Sequence, residues 1–257
     1  DRSISSTPRK LRGISDIRRF FHRNTEPVYF FSATPFNLLG MDEWIRGFTF
    51  VNAIDCFDGQ HPNVFVPSEI EHEQWTSIED INVYLLSHPE VAELVKRRGP
   101  GGKAVFLMFD ERCEELCRKL GLEVCFPPAA LRSKVDDKVE TTRIADRAGV
   151  PSVPNVLARV DSFKTLRKVA AKLGPDLVVQ TAYGDSGHTT FFISTEDGFN
   201  KHAEEIREAP EVKIMKRIRC RGSALEACVT RHGTIVGPLM TALVGFKELT
   251  PYRGGRS

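Results

Sequence analysis

A double proline, Pro127-Pro128, separates two parts of the chain whose sequence patterns differ. Before the prolines, short apolar runs alternate with segments of helical spacing, and residues 103–109 form the clearest strand-like run. Asp110 directly follows that run and suits the N-cap of a helix. Because strands and helices that alternate with short connections are typical of βαβ units, residues 24–126 are predicted to form an open parallel sheet with flanking helices.

The part after the prolines is predicted to begin with linker helices over residues 127–150. Asp137 and Glu140 have the spacing of a capping box that opens a helix to Ala148, and Gly149 is placed to end that helix. Asp161 is predicted to cap a later helix.

Strands dominate the pattern beyond residue 150. A glycine-containing loop joins two of them, and a helix carrying Phe199, Ala203 and Ile206 follows. Residues 231–233 have the composition of a hairpin turn. The predicted strands cover residues 155–158, 176–181, 189–194, 212–215, 224–230, 234–236 and 239–244.

Charge is distributed unevenly along the 257 residues. Residues 1–23 carry seven basic and two acidic groups, a net charge of +5, whereas the whole chain carries +2. This basic leader is interpreted as a solvated segment with a short amphipathic helix, and a targeting peptide or a nucleic-acid-binding arm is the alternative. The remainder of the chain is mildly acidic, which argues against a nucleic-acid partner.

No membrane span is expected, because the longest uninterrupted apolar run covers only residues 104–109. The six cysteines show neither Cys-x-x-Cys pairs nor zinc-ligand spacing. Cys113 and Cys117 are one helical turn apart beside leucines, and we interpret them as core residues. Reduced thiols and the lack of a visible signal peptide favour a cytoplasmic location.

The loop at residues 182–188, Ala-Tyr-Gly-Asp-Ser-Gly-His, is the most informative local motif. It joins two predicted strands and lacks the Gly-Lys-Ser/Thr ending of a Walker A loop, and no Gly-x-Gly-x-x-Gly follows the first strand. Glycines let backbone N–H groups approach phosphate oxygens closely, so the loop is a candidate for phosphate binding. A simple turn between strands is the alternative.

The order of motifs after the double proline resembles the ATP-grasp superfamily. The entry motif looks most like the biotin carboxylase and carbamoyl-phosphate synthase branch of that superfamily. The resemblance covers residues 127–245 through motifs and the N-terminal half through topology alone. In chain order, the matching segments are Asp137-Lys138, a helix, Gly-Val-Pro-x-x-Pro at 149–154, a strand at 177–180, the glycine loop, residues 212–218 and a hairpin with Gly222 and Glu226.

The resemblance implies an α/β fold in which an open parallel-sheet, pre-ATP-grasp domain at residues 24–126 precedes an ATP-grasp α+β lid at residues 151–216. Residues 217–257 would begin an antiparallel C-terminal sheet. It also implies an ATP-dependent ligase that activates a carboxylate as an acyl phosphate for attack by an amine or another nucleophile. Biotin carboxylase activity is one alternative, and a non-catalytic nucleotide-binding regulatory or scaffold protein is an alternative of another class.

The resemblance also implies roles for individual residues. Lys138 matches the first family lysine, which contacts nucleotide phosphate; a solvated helix charge is the alternative. Gln180 occupies the place of the second nucleotide lysine, so the sequence departs from the family there and offers an amide in place of a charge. The residues that match the phosphate lid are Gly184, Ser186, Gly187 and His188.

Three later residues complete the candidate nucleotide site. Lys216 and Ile218 belong to the segment that matches the adenine hinge, where backbone groups read the purine edge. Glu226 matches the hairpin carboxylate, with an outward-facing strand residue as the alternative.

The resemblance implies Mg²⁺ held by late acidic residues, which this sequence does not supply. After Glu226 the only carboxylate side chain is that of Glu248, so no metal ligand and no catalytic residue are assigned. We expect the Mg²⁺ ligands beyond residue 257 and expect this chain alone to be inactive. The implied partners are a small-molecule carboxylate and an amine, and homodimer formation is left open.

Overall fold

A computed structural model describes residues 12–68, 75–184, 189–241 and 243. The chain divides into two compact units, Asp1–Asp137 and Lys138–Ser257. The finer division predicted at residues 126, 150 and 216 stays a prediction. None of the described helices is long and apolar enough to cross a membrane.

The first unit is built on a five-stranded parallel sheet with the strand order β3-β2-β1-β4-β5. This confirms the open parallel sheet predicted before the double proline. Its central strand is buried along its whole length, which is why its sequence is a continuous apolar run and does not alternate. The strands are β1 (Val28–Ser32), β2 (Phe48–Asn52), β3 (Val64–Phe65), β4 (Gly102–Phe106) and β5 (Leu122–Val124).

The described residues of the first unit form six helices, and local sequence explains several of their ends. The side chain of Asp110 accepts a hydrogen bond from the backbone N–H of Cys113 at 3.1 Å, which confirms it as an N-cap. Pro89 opens one helix directly after another ends at Ser87. The helices are α1 (Ile14–His22), α2 (Met41–Trp44), α3 (Ile78–Ser87), α4 (Pro89–Arg98), α5 (Glu111–Lys119) and α6 (Ala129–Asp136), with a 3₁₀ turn at Phe36–Leu38.

The amphipathic helix predicted in the basic leader is present as α1. Ile17 and Phe21 are half-buried, whereas Ile14 and Phe20 remain exposed. The guanidinium of Arg18 lies 4.6 Å from the centre of the Trp44 ring, so α1 contacts α2 partly through a cation–π interaction. Residues 1–11 of the predicted leader lie outside the described residues.

The second unit contains a four-stranded antiparallel sheet with the order β6-β9-β7-β8, and a separate two-stranded hairpin. The fold class expected from the sequence, a lid with α+β architecture followed by antiparallel strands, is thereby confirmed. The strands are β6 (Asn155–Ala158), β7 (Leu177–Gln180), β8 (Thr190–Ile193), β9 (Val212–Lys216), β10 (Ser223–Thr230) and β11 (Gly233–Thr241), and the helices are α7 (Lys138–Arg147), α8 (Phe163–Val169), α9 (Glu196–Asn200) and α10 (Ala203–Glu208).

One face of the four-stranded sheet carries the core of the second unit. Val179 of β7 and Ile214 of β9 are fully buried there. Helices α8, α9 and α10 contribute Leu166, Phe199 and Ile206, which are also fully buried. The removal of these apolar side chains from water stabilises the unit and fixes which face of each strand is turned to the helices.

Some local predictions for the second unit were wrong in detail. The N-cap of α8 is Ser162, whose hydroxyl accepts from the backbone N–H of Thr165 at 3.2 Å; Asp161 supports it by accepting from the hydroxyls of both residues. The helix predicted around Phe199 is two helices, because His202 interrupts it and stacks its ring 4.5 Å from Phe191.

The strand predicted at 234–236 and the first part of the one predicted at 239–244 form a single strand, β11, which passes through Gly237 and Pro238 and ends at Thr241. Residues 242 and 244 of the second prediction lie outside the described residues. The register of β10 shifts between Leu225 and Ala227, and this β-bulge lies opposite the Gly237-Pro238 segment of β11. A proline is tolerated because each strand of a two-stranded ribbon has a free edge. Both strands are almost entirely exposed, and the apolar side chains in contact with solvent include Val229 and Leu239.

The buried thiols of α5 give a first testable prediction. Burial raises the pKa of Cys113 and of Cys117 to about 12, which suppresses the reactive thiolate form at neutral pH. We expect iodoacetamide at pH 7.5 to modify the exposed Cys220 and Cys228 first, and the α5 cysteines only after unfolding, as measured by mass spectrometry of peptides. Equal labelling rates for Cys113 and Cys220 in the folded protein would contradict the burial of α5.

Candidate functional site

Lys138 joins the start of α7 to the glycine loop that follows β7. Its backbone N–H donates to the carbonyl of Ala182 at 2.8 Å. Its side-chain ammonium donates to the carbonyl of Gly184 at 2.6 Å, across 46 positions of sequence. The structure therefore brings together two of the residues that the sequence predicted for one site.

Gly184 has a backbone conformation that requires glycine. Its φ is 140°, and a Cβ atom at this position would overlap the side chain of Thr189. The loop is tied across its base by Thr181, whose backbone N–H donates to the Thr189 carbonyl at 3.3 Å. The side-chain hydroxyl of Thr181 also donates to the Tyr183 carbonyl at 2.9 Å. These contacts fix the position of the carbonyl that holds the Lys138 ammonium.

The other predicted lid residues, Ser186, Gly187 and His188, lie outside the described residues. Their predicted role in phosphate binding stays a prediction.

The sheet face opposite the core carries a row of half-buried side chains. Val178 and Gln180 of β7 alternate with the buried Leu177 and Val179 and so point to this second face. The side-chain amide of Gln180 donates to the hydroxyl of Thr190 on β8 at 3.0 Å. Gln180 is therefore placed at the end of β7, as predicted, and is oriented by a hydrogen bond to the neighbouring strand.

Lys213 is a candidate site residue that the sequence analysis missed. It is paired in register with Gln180 on the adjacent strand β9, so both side chains lie on the same face. It is half-buried, and desolvation lowers the pKa of its ammonium, while the carboxylate of Asp146 on α7 acts in the opposite direction. The alternation of Val212, Lys213 and Ile214 was the signal that could have placed this lysine away from the core.

Helix α7 lies against the end of the sheet where Gln180 and Lys213 are paired. Its first residue, Lys138, bonds to the loop after β7, as described above. Further along, Arg143 forms an ion pair with Glu211, the residue before β9. Two cationic side chains, those of Lys138 and Lys213, thus belong to the same end of this sheet.

The predicted adenine hinge lies at the opposite end of β9. The backbone N–H of Lys216 donates to the Pro154 carbonyl at 3.0 Å, and the N–H of Arg217 donates to the Asp176 carbonyl at 3.0 Å. The backbone N–H of Ile218, next along the chain, donates to no backbone carbonyl among the residues described. Its predicted role in reading the purine edge stays a prediction.

Glu226 is placed differently from the other predicted residues. It is exposed and lies in the β10 bulge, where its backbone carbonyl is close to Gly237 of β11. No hydrogen bond or ion pair in the described part of the chain connects it to Lys138 or Gln180. Within that same part, no three His, Cys, Asp or Glu side chains cluster as metal ligands would.

An open parallel-sheet unit followed by an antiparallel α+β unit is the arrangement of the ATP-grasp fold, and the chain has this fold. The resemblance inferred from motif order is therefore confirmed for the fold. No family model matches the chain.

Particular solved structures show this likeness. An ADP complex of PurK, an N5-carboxyaminoimidazole ribonucleotide synthetase, has a TM-score of 0.56 and 14% identity, covering 85% of this chain and 54% of that one. The Aspergillus clavatus N5-carboxyaminoimidazole synthase has a TM-score of 0.56 at 12% identity, covering 86% and 54%. The biotin carboxylase domain of Hydrogenobacter thermophilus 2-oxoglutarate carboxylase has a TM-score of 0.53 at 14% identity, covering 79% and 46%.

A curated protein shares a shorter stretch of sequence. The mitochondrial methylcrotonoyl-CoA carboxylase subunit alpha of Glycine max is 28% identical over 85 residues, which is 33% of this chain and 12% of that protein. The chain spans about half the length of the solved structures named above.

Replacement of Gly184 tests the geometry of the loop. Gly184→Ala introduces both an unfavourable φ and an overlap with Thr189, so we expect the free energy of unfolding of the second unit to fall by about 1–3 kcal/mol. Gly174→Ala is a matched control, because Gly174 also has a positive φ but a Cβ there would meet nothing within 4 Å. Denaturant unfolding should show the larger loss for Gly184→Ala, and equal losses would contradict the packing of Thr189 against the loop.

Proposed function

We propose that the protein containing this chain binds ATP and uses it to activate a carboxylate. The γ-phosphoryl group would pass to a carboxylate oxygen, releasing ADP. An amine or another nucleophile would then attack the carbonyl carbon, and phosphate would leave. The observation that carries this proposal is the Lys138 ammonium, held 2.6 Å from the Gly184 carbonyl of the glycine loop.

The geometry of Lys138 suits a phosphate ligand. An ammonium group has three N–H donors, and the Gly184 carbonyl accepts one of them. No second acceptor for this ammonium lies in the described part of the chain, so the other two donors would bind phosphate oxygens through charge-assisted hydrogen bonds, which are the strong ones. The bond to Gly184 orients the lysine before any nucleotide arrives, which reduces the entropy lost on binding.

Other residues of this chain are proposed to position the nucleotide. The backbone N–H of Ile218, for which the described residues supply no backbone acceptor, would donate to the adenine ring at the hinge next to Lys216. The amide of Gln180 would hydrogen-bond adenine or a phosphate oxygen. We retain Glu226, Ser186, Gly187 and His188 as proposed nucleotide contacts from the family resemblance.

The described residues do not fit a Mg²⁺ site, since they contain no carboxylate cluster. We therefore assign no step of the reaction to a metal held by this chain. The Hydrogenobacter thermophilus domain is described with MgADP, which supports ATP and Mg²⁺ use by proteins of this fold.

Two other functions follow from specific observations. The sequence similarity to methylcrotonoyl-CoA carboxylase subunit alpha favours biotin carboxylase activity, in which bicarbonate is the activated acid. The glutamine at position 180 favours a nucleotide-binding regulatory or scaffold protein without turnover.

We propose that the partners are a small-molecule carboxylate and an amine. We also propose a cytoplasmic location, and the six free cysteines are consistent with that location.

Nucleotide binding has a direct thermal readout. Ligand at a hundred times its Kd stabilises a protein by about 2.7 kcal/mol, so saturating MgATP or ADP should raise Tm by several degrees. Lys138→Ala should reduce this shift, because it removes the ammonium from the glycine loop. Lys134→Ala, on the exposed side of α6, is the matched control and should leave the shift unchanged.

The apo proteins are compared as well, because Lys138→Ala also removes the bond to Gly184. A lower Tm without nucleotide reports that structural bond, whereas a smaller nucleotide-induced shift reports binding. An unchanged Tm of the wild-type protein at millimolar MgATP would contradict the proposed function.

Turnover separates the ligase from the regulatory protein. We expect the full-length protein to release phosphate and ADP when MgATP is supplied with its carboxylate and amine, as measured by a coupled assay over a panel of both. Bicarbonate with biotin forms the arm for biotin carboxylase. Nucleotide binding without product formation in any arm would support the regulatory or scaffold function.

A further inference from the structure

Lys213 lies on the face of the four-stranded sheet that is opposite the core. It lies directly across from Gln180 in an antiparallel pair, an arrangement in which Cβ atoms are about 4.5–5.5 Å apart. Val212 and Ile214 on either side of it are fully buried in the core behind the sheet. The strand therefore has no freedom to turn the lysine to another face without exposing these two side chains.

The ammonium of Lys213 is partly removed from water, and the described residues give it no bonded partner. It makes no hydrogen bond or ion pair within 12–68, 75–184, 189–241 and 243, although the Asp146 carboxylate acts on it through space. The balance is a lowered pKa, because desolvation outweighs that attraction. A partly desolvated cation is stabilised by a nearby anion, so a negatively charged ligand at this end of the sheet would compensate Lys213.

We propose that Lys213 binds the phosphate groups of the nucleotide and supplies, from the neighbouring strand, the positive charge that Gln180 does not provide. This inference rests on the proposed function, because the anion in question is the bound ATP. It assigns a binding role to a residue on β9, one strand away from the position at which the sequence comparison expects a lysine.

The position of Lys138 favours a phosphate chain over a single small anion. Lys138 bonds to the carbonyl of Ala182, two residues beyond Gln180 on the same strand path, and Gln180 is the partner of Lys213. Two ammonium groups from different elements thus serve the same end of the sheet. A ligand with several charged oxygens in a row can satisfy both.

The test replaces Lys213 with glutamine, which removes the positive charge but keeps a polar side chain of similar size. Calorimetric titration of the full chain with MgATP should show that Lys213→Gln weakens binding about ten-fold or more, the loss of one charge-assisted contact. Adenosine, which has no phosphate, should bind equally to both proteins. Lys168→Gln changes an exposed lysine of α8 on the far side of the sheet and should leave both affinities unchanged.

A double variant makes the test independent of folding. If the charge alone matters, Gln180→Lys added to Lys213→Gln moves the lysine to the opposite strand and should restore much of the ATP affinity. Wild-type ATP affinity in Lys213→Gln would overturn the inference and leave the proposed function intact. Equal losses for ATP and adenosine, with a lowered Tm and no rescue, would show that Lys213 is structural and would also overturn it. Failure of the wild-type chain to bind ATP would refute both proposals.

Discussion

The register of β7 and β9 is the constraint on which the candidate site depends. Val179 of β7 and Ile214 of β9 are buried on one face of the sheet. Their neighbours in sequence, Gln180 and Lys213, must therefore lie on the other face. A slip by one residue would move Gln180 and Lys213 into an apolar core, where an unpaired charge is very costly. The hydrophobic core therefore stabilises the four-stranded sheet and also determines which polar side chains lie next to each other on the opposite face.

A second constraint joins positions far apart in the chain. Lys138 begins a helix, and Gly184 lies in a loop between two strands, yet one side-chain hydrogen bond connects them. The glycine is required by its φ and by the Thr189 side chain, and the lysine requires the carbonyl that this conformation presents. A lysine fixed in this way is pre-organised, so a nucleotide would meet a site whose geometry is already set.

The strands of the five-stranded and four-stranded sheets were predicted well from the sequence, because buried parallel strands and alternating antiparallel strands leave different apolar patterns. The pairing of Lys138 with Gly184 could be anticipated only from the order of family motifs, since no local pattern reports a contact across 46 residues. Lys213 was missed although its alternation with Val212 was visible, because strand pairing decides which residue stands opposite it. The N-cap of α8 was predicted wrongly for a similar reason. Asp161 and Ser162 are both common N-cap residues, and the backbone geometry determines which of them caps the helix.

The exposed hairpin of β10 and β11 has a kinetic consequence. Its two strands are joined by the two residues Arg231 and His232, so it closes through local contacts within about 1–10 μs, long before distant strands can assemble. Apolar side chains such as Val229 and Leu239 are then exposed on a ribbon that pairs with no third strand among the described residues. The exposed edges of such a ribbon can pair with a further strand. Pairing with a strand of the same chain leads to productive folding, whereas pairing with a strand of another chain leads to aggregation.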